Sequence, residues 1–292
     1  MRDCQIDVAG VKLQVREYEG QGTPIVFLHH GGGNLMMWRS VVPCFQGTYH
    51  LVLIDLRGHG RSDKPPTGYH IDDMAGDVAG IMAHLKLAPA HIVGSSLGAE
   101  VGLSLAANYA ESVASLVCEG ALYSEFGPYG IREGAESDFR EEVAQKLRTL
   151  HETPEPQYDT PEALIEANRQ SLEEIGWWNE NSEAVVVYDV CKIGEGRYTD
   201  CWRKWAREGY MRHYYGYRFE EYYERVRCPV LMMPSEKEMH DERIVRAMNG
   251  LCQLVSQCEI VGVPGAVHAF GWLLNPEGMS EAVLRFLAGV QN

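Results

Sequence analysis

Positive charge is scarce in this chain. Lys and Arg number 26 against 41 Asp and Glu, a formal net charge of −15, and no basic block offsets the deficit locally. Such a surface repels phosphate backbones and anionic lipid, which argues against nucleic-acid and membrane partners. Long apolar runs are missing too. None approaches the ~18 residues of a membrane span, and the opening MRDCQIDVAG lacks the apolar stretch of a signal peptide. Cysteines occur at 4, 44, 118, 191, 201, 228, 252 and 258, never as a C-x-x-C pair. That spacing offers no zinc site, and Cys in apolar stretches behaves as a small buried hydrophobe. The expectation is a cytoplasmic protein with free thiols, no metal and no cofactor. Neither an internal repeat nor a low-complexity tract is found.

What is present is ordinary globular material: 292 residues, 45% hydrophobic, enough for one large domain or one domain with an insertion. QIDVAG and KLQVREYE flank Ala9-Gly10 and read as a hairpin. A different rhythm follows. PIVFLHH (24–30), HLVLIDL (50–56), AHIVGSS (90–96) and VASLVCEG (113–120) are nearly continuous in Val, Ile and Leu, with helix-like stretches at about 35–47, 72–86 and 97–110 between them. Continuous apolar strands alternating with amphipathic helices signal a mostly parallel sheet covered on both faces, an α/β fold.

The rhythm stops near Ala121 and resumes at Cys228, with the strand PVLMM, a helix near 241–254, the strand CEIVGV and a closing helix near 276–289. Between them, Phe139, Val143, Leu147 and Leu150 fall at helical spacing. So do Leu164, Asn168 and Leu172 after the helix-start signal Thr160-Pro161. Val185–Val187 reads equally as helix or strand. The division is therefore a core of 1–120 and 228–292 with a mostly helical insertion, 121–227.

Chemistry concentrates in HIVGSSLGAE. Gly94-Ser95-Ser96-Leu97-Gly98 fits G-x-S-x-G between a strand and a helix, the context of a nucleophile elbow. Ser96 has the glycines at ±2 and Ser95 does not. The helix that follows points the Leu97 N–H at any negative charge developing beside Ser96. A serine needs a base, and the base an orienting carboxylate. His268, in VPGAVHAFGW after the last strand, stands downstream in the order Ser, acid, His. His30-Gly31-Gly32-Gly33 follows a strand and offers bare backbone N–H groups; Gly32 with Leu97 is the expected oxyanion pair. The glycine loop lacks the Lys and the spacing of the nucleotide-binding patterns.

HHGGGN, DLRGHGRSD, GSSLG, CPVLMMPSEKE and PGAVHAF together resemble, in order and spacing, the α/β-hydrolase superfamily, over about 5–120 and 228–290. The resemblance implies Ser96 as nucleophile, His268 as general base and acid, and 121–227 as a helical cap. It gives Asp55, Arg57 and His59 a structural turn and no catalytic role. It places the acid after strand 229–233, usually as G-E-x-D, where this chain has Ser235-Glu236-Lys237-Glu238. Glu238 then stands at the acid position. Glu119, at the end of strand 113–118, is the alternative, because some cap-bearing relatives carry their acid there. Glu236, Asp241 and Glu242 read as a solvated rim or a first helical turn.

Most aromatics of the insertion read as cap core, and Trp202, Trp205 and Tyr214, with Gly31, are the candidates for substrate contact. No Lys/Arg cluster in the motif loops calls for a strongly anionic substrate. The expected activity is serine-dependent cleavage of a carboxylic ester or lactone of a small to medium, largely apolar substrate. C–C bond hydrolysis, acyl transfer and a small-molecule receptor on the same scaffold are the alternatives. The partner is a small molecule; the sequence does not specify an oligomeric state.

Overall fold

The computed structural model describes residues 1–290. Strands β1 (Arg2–Val8) and β2 (Val11–Tyr18) form the expected hairpin about Ala9 and Gly10. Then β3 (Gly22–Leu28), a short α1 (Val42–Phe45), β4 (Tyr49–Ile54), α2 (Ile71–Leu85), β5 (Ala90–Ser95), α3 (Leu97–Asn108) and β6 (Val113–Glu119) alternate. The excursion after β6 holds α4 (Glu136–Glu152), α5 (Pro161–Glu174), α6 (Glu180–Tyr188), β7 (Val190–Gly194), β8 (Arg197–Asp200), α7 (Lys204–Tyr214) and α8 (Phe219–Tyr223). The main sheet resumes with β9 (Val230–Met233), α9 (Glu236–Met239), α10 (Glu242–Cys252) and β10 (Cys258–Ile260). The chain closes with α11 (Gly271–Leu274) and α12 (Pro276–Val290).

The eight-stranded sheet runs β1-β2-β4-β3-β5-β6-β9-β10. From β4 to β10 every pairing is parallel, and β1 and β2 join antiparallel at one edge. The continuous apolar runs are explained by burial on both faces. Val26, Leu28, Val52 and Ile54 meet Met74 and Val78 of α2 and Leu103 of α3 in one core cluster. Ile25, Phe27, Leu51 and Leu53 meet Trp38, Trp272 and Phe286 in the other.

Helix boundaries follow local chemistry. His70 caps α2 by accepting the Asp72 N–H, and Lys86 ends the helix in the left-handed conformation (φ 57). Thr160 accepts the Ala163 N–H at the start of α5, with Pro161 in the first turn. Asn179 and Ser182 form a reciprocal capping box on α6, which settles Val185–Val187 as helix.

Three expectations need correction. The helix expected at 35–47 is a 3-10 turn at Leu35–Trp38 followed by α1. Asn34 and Asp55 take the first N–H groups into a tight turn, and Pro43 begins a separate one. Residues 190–200, given no strand within the insertion, pair as β7 and β8. The cysteines are not all free: Cys252 at the end of α10 and Cys258 at the start of β10 lie 5.4 Å apart at Cα and form a disulfide. The short connection between those elements brings the two residues together, which residue spacing alone does not reveal.

The 121–227 segment sits over the sheet through a few polar ties. The Asn34 side chain donates to the Val185 carbonyl (3.0 Å), and the Tyr188 hydroxyl to Asp55 (3.0 Å). Tyr222 reaches Asp72 (3.0 Å), and Tyr217 accepts the Ile71 N–H (3.2 Å). Among the described residues, no helix is long and apolar enough to cross a membrane.

Candidate active site

The loops at the carboxyl ends of the parallel strands converge, as ligand sites do in open α/β sheets. Strand β5 delivers Ser96, β6 delivers Glu119, β9 leads into Glu238, and the chain beyond β10 brings back His268. The glycines around Ser96 are there because nothing larger fits. A Cβ on Gly94 would stand 2.5 Å from the Ala99 backbone, and one on Gly98 would stand 2.1 Å from the Leu28 carbonyl oxygen. Strand, turn and helix are thereby pressed together, and Ser96 takes the strained backbone φ 48, ψ −117. Its N–H is held by the Glu119 carbonyl at 2.9 Å, and its own carbonyl accepts the Ala99 and Glu100 N–H groups.

That turn aims Ser96 Oγ at His268 Nε2, 3.1 Å away. Ser95 is turned inward instead, donating its hydroxyl to Glu119. Gly120, which sequence reading passed over, has φ 105, and a Cβ there would stand 2.8 Å from the His268 ring. A glycine directly after a strand-ending Glu is the available sequence signal for that close approach. On the far side of the ring, Ala269 (φ 63) gives its N–H to Glu119 Oε1 at 2.9 Å.

Both candidate carboxylates face His268 Nδ1: Glu238 Oε1 at 3.5 Å and Glu119 Oε1 at 3.8 Å. Their surroundings differ. Glu119 is 2% exposed and has both oxygens engaged, by Ser95 and by the Ala269 N–H. Burial pushes its pKa up, a tendency opposed by His268 and reinforced by the nearby Glu238. Glu238 commits Oε2 to the Ser235 N–H (2.7 Å) and hydroxyl (2.8 Å) in a capping box. Among the described residues its Oε1 has only the distant Ala121 N–H (3.4 Å) besides the imidazole. Asp241 caps α10 by accepting the Arg243 N–H, so it is occupied structurally.

The glycine loop lies beside this group. The N–H groups of Gly31, Gly32 and Leu97 have no hydrogen-bond partner among the described residues. Gly32 takes φ 80, and the Trp202 ring covers the loop so closely that a Cβ on Gly31 would meet it at 3.1 Å. Trp202 also stacks on His59 with ring centres 5.0 Å apart. His59 and His29 are buried, and burial lowers both imidazole pKa values, His29 to about 3. Asp55 accepts the Leu35 (2.7 Å) and Arg61 (2.9 Å) N–H groups, and Arg57 pairs with Asp77 at 2.6 Å. These groups brace turns away from Ser96.

A cavity of about 220 Å³ opens at Ser96, bounded among others by Glu100, Leu122, Tyr214, Phe219 and His268. Tyr214 is thus where substrate contact was expected. Trp205 is not: it is 40% exposed, lies against Arg203 and gives its indole N–H to the Lys64 carbonyl. Its place on the outer side of α7 explains the difference. Glu100, Tyr123 and Phe219 line the cavity without having been singled out.

Comparison with known proteins agrees with this architecture. Residues 23–152 match the model of the α/β hydrolase fold family. The chain is similar to 2-(acetamidomethylene)succinate hydrolase of Mesorhizobium japonicum, 35% identical over 125 residues, 43% of this chain and 43% of that protein. The match therefore spans less than half of that relative's own length. Among solved structures, E-2-(acetamidomethylene)succinate hydrolase superposes with TM-score 0.78 at 23% identity, covering 98% of this chain and 99% of that one. The enol-lactonase from Burkholderia xenovorans LB400 gives 0.68 at 22% identity, covering 98% and 100%. The likeness to these neighbours extends over nearly the whole chain, and the protein has the α/β-hydrolase fold.

Proposed function

We propose that the protein is a serine hydrolase that cleaves a small carboxylic ester or lactone through an acyl-enzyme. The observation that carries this reading is the 3.1 Å approach of His268 Nε2 to Ser96 Oγ at a strained strand–helix turn. Relatives named as a 2-(acetamidomethylene)succinate hydrolase and an enol-lactonase add support for hydrolytic chemistry on acyl groups.

In the proposed mechanism, Ser96 Oγ attacks the substrate carbonyl carbon while its proton passes to His268 Nε2. The carbonyl electrons move onto oxygen, and the Gly32 and Leu97 N–H groups receive the oxyanion. As the tetrahedral intermediate collapses, the leaving oxygen takes the proton from His268. Water then repeats the sequence: His268 removes its proton, the hydroxyl adds to the acyl carbon, and Ser96 departs reprotonated. Glu238 is the proposed partner of the Nδ1–H, fixing the tautomer and offsetting the imidazolium charge. Glu119, with its pKa raised by burial, more readily holds a proton and braces the His268 loop. Tyr214 and the apolar wall of the cavity receive the acyl group, and Trp202 shields the glycine loop.

The test is a panel of p-nitrophenyl esters and lactones with a fluorophosphonate probe, run on wild type and Ser96→Ala. Turnover and labelling that vanish in the variant support the reading. A folded wild type that neither turns over an ester nor reacts with the probe removes it.

A further inference from the structure

Glu100 lies one helical turn beyond the proposed nucleophile, and its side chain faces the same cavity. It is 3% exposed. Its one side-chain partner among the described residues is the Tyr210 hydroxyl, 2.9 Å from each carboxyl oxygen. Among the described residues no Lys or Arg pairs with it, and none lines the cavity. A carboxylate offers roughly four lone-pair directions, and one phenol proton fills a single direction. A buried acid without a countercharge is costly unless it is protonated, and burial pushes this one up to about 8.

The other titratable side chains around it are tyrosines, carboxylic acids and the His268 imidazole. Tyr210 and Tyr214 come from α7 and Tyr217 follows them. Tyr123 comes from the loop after β6, while Glu238 and His268 close the mouth with Glu119 behind. The tyrosines have hydroxyl pKa values raised by burial, so they stay neutral. An anionic substituent here would sit beside Glu100 and Glu238 with no cation to meet it. A cationic one would meet a carboxyl group that has no countercharge and the rings of Tyr214 and Phe219, which attract cations at their faces.

We propose that the Ser96 cavity selects substrates whose acyl chain carries an ammonium group, held by Glu100 among the surrounding aromatic rings. This rests on the reading of Ser96 as nucleophile. The relatives do not imply it, since the succinate for which one of them is named is an acid. Below about pH 8 burial favours a proton on Glu100 in the empty site, and binding the cation expels it. Affinity for the ammonium group therefore rises as the pH approaches about 8 and then levels.

The experiment compares two p-nitrophenyl esters of equal shape, 4-(trimethylammonio)butanoate and its carbon isostere 5,5-dimethylhexanoate. The quaternary charge does not titrate, and any effect of His268 acts on both, so their kcat/KM ratio reports on Glu100. The ammonium ester should be favoured by about tenfold or more near pH 8, worth ~1.4 kcal/mol. The ratio should fall toward about pH 6 and collapse in Glu100→Gln, which can still hydrogen-bond to Tyr210. Equal ratios, a preference for the neutral ester, or a preference surviving unchanged in the variant overturns the proposal while leaving the esterase reading intact. The wild-type pH dependence needs no variant and decides the matter if Glu100→Gln does not fold. If neither ester is cleaved, calorimetry with butyltrimethylammonium takes over. Binding to wild type that strengthens with pH sustains the ammonium site, and no binding, or binding independent of pH, sinks it.

Discussion

The sheet and the segment that covers it are built to different standards. Strands β4 and β5 bury every residue but one, and α3 buries ten of its twelve. In the covering segment α4 buries only Phe139 and α5 only Leu164, although each spans three or more turns. The sheet is therefore locked by packing, whereas α4 and α5 are held loosely, and the segment reaches the core through α7 and α8, whose Tyr210, Phe219 and Tyr223 join the sheet's own cluster. Burial that tight holds the turn at Ser96 in one geometry. The looser layer fixes only the shape of the space above it. Chemistry should then be sensitive to changes in the sheet loops, and substrate choice to changes in the cover.

The largest expected effect tests the sheet side. Ser96→Ala should lower kcat for ester hydrolysis by roughly 10⁴-fold or more and abolish fluorophosphonate labelling, with the thermal midpoint nearly unchanged. Substantial residual turnover in a pure sample would place the nucleophile elsewhere and dissolve the distinction.

Next come the two carboxylates that share His268. Glu238→Gln should lower kcat by roughly 10²- to 10⁴-fold, as expected when a triad loses the charge that orients its base. Glu119→Gln should cost less activity and more stability, because Glu119 holds Ser95 and the Ala269 N–H in a buried site. Steady-state kinetics and melting curves on both variants check this, and the reverse order in kcat would move the acid role to Glu119.

The turn at Ser96 and the sheet alternation were legible because each is a local pattern enforced by sterics: Gly94 and Gly98 have no room for a side chain. The choice between Glu119 and Glu238 was not. It depends on how two loops 119 positions apart in the chain meet one imidazole, and the structure narrows the matter to 3.5 against 3.8 Å. Glu100 escaped notice because an acidic residue in a helix ordinarily faces water. The missed signal is that LGAEVGLSLAAN leaves almost no polar face for it to occupy. The β7–β8 pairing was hidden by its short strands, and Trp205 by its aromatic neighbours, since counting aromatics does not reveal which side of α7 each one is on.

A smaller effect probes where the cover touches the chemistry. Trp202→Ala uncovers Gly31 and Gly32 and removes the stack on His59. The kcat/KM for esters should fall about tenfold, the scale of ~1–2 kcal/mol of lost positioning. An unchanged kcat/KM would mean that the glycine loop holds its shape without the indole.

The smallest effect tests whether the cover can be loosened without touching the sheet. Thr160 caps α5 by accepting the Ala163 N–H at 3.1 Å, in a helix whose only buried residue is Leu164. Thr160→Ala leaves that N–H to solvent and should cost about 0.5–2 kcal/mol of stability. For a chain of this size, that corresponds to a midpoint lower by roughly 1–4 °C. The kcat should not change, because no atom of α5 lines the Ser96 cavity among the described residues. Equal melting loss with a several-fold fall in kcat would show that strain in the cover reaches Ser96, and that the two layers are one mechanical unit.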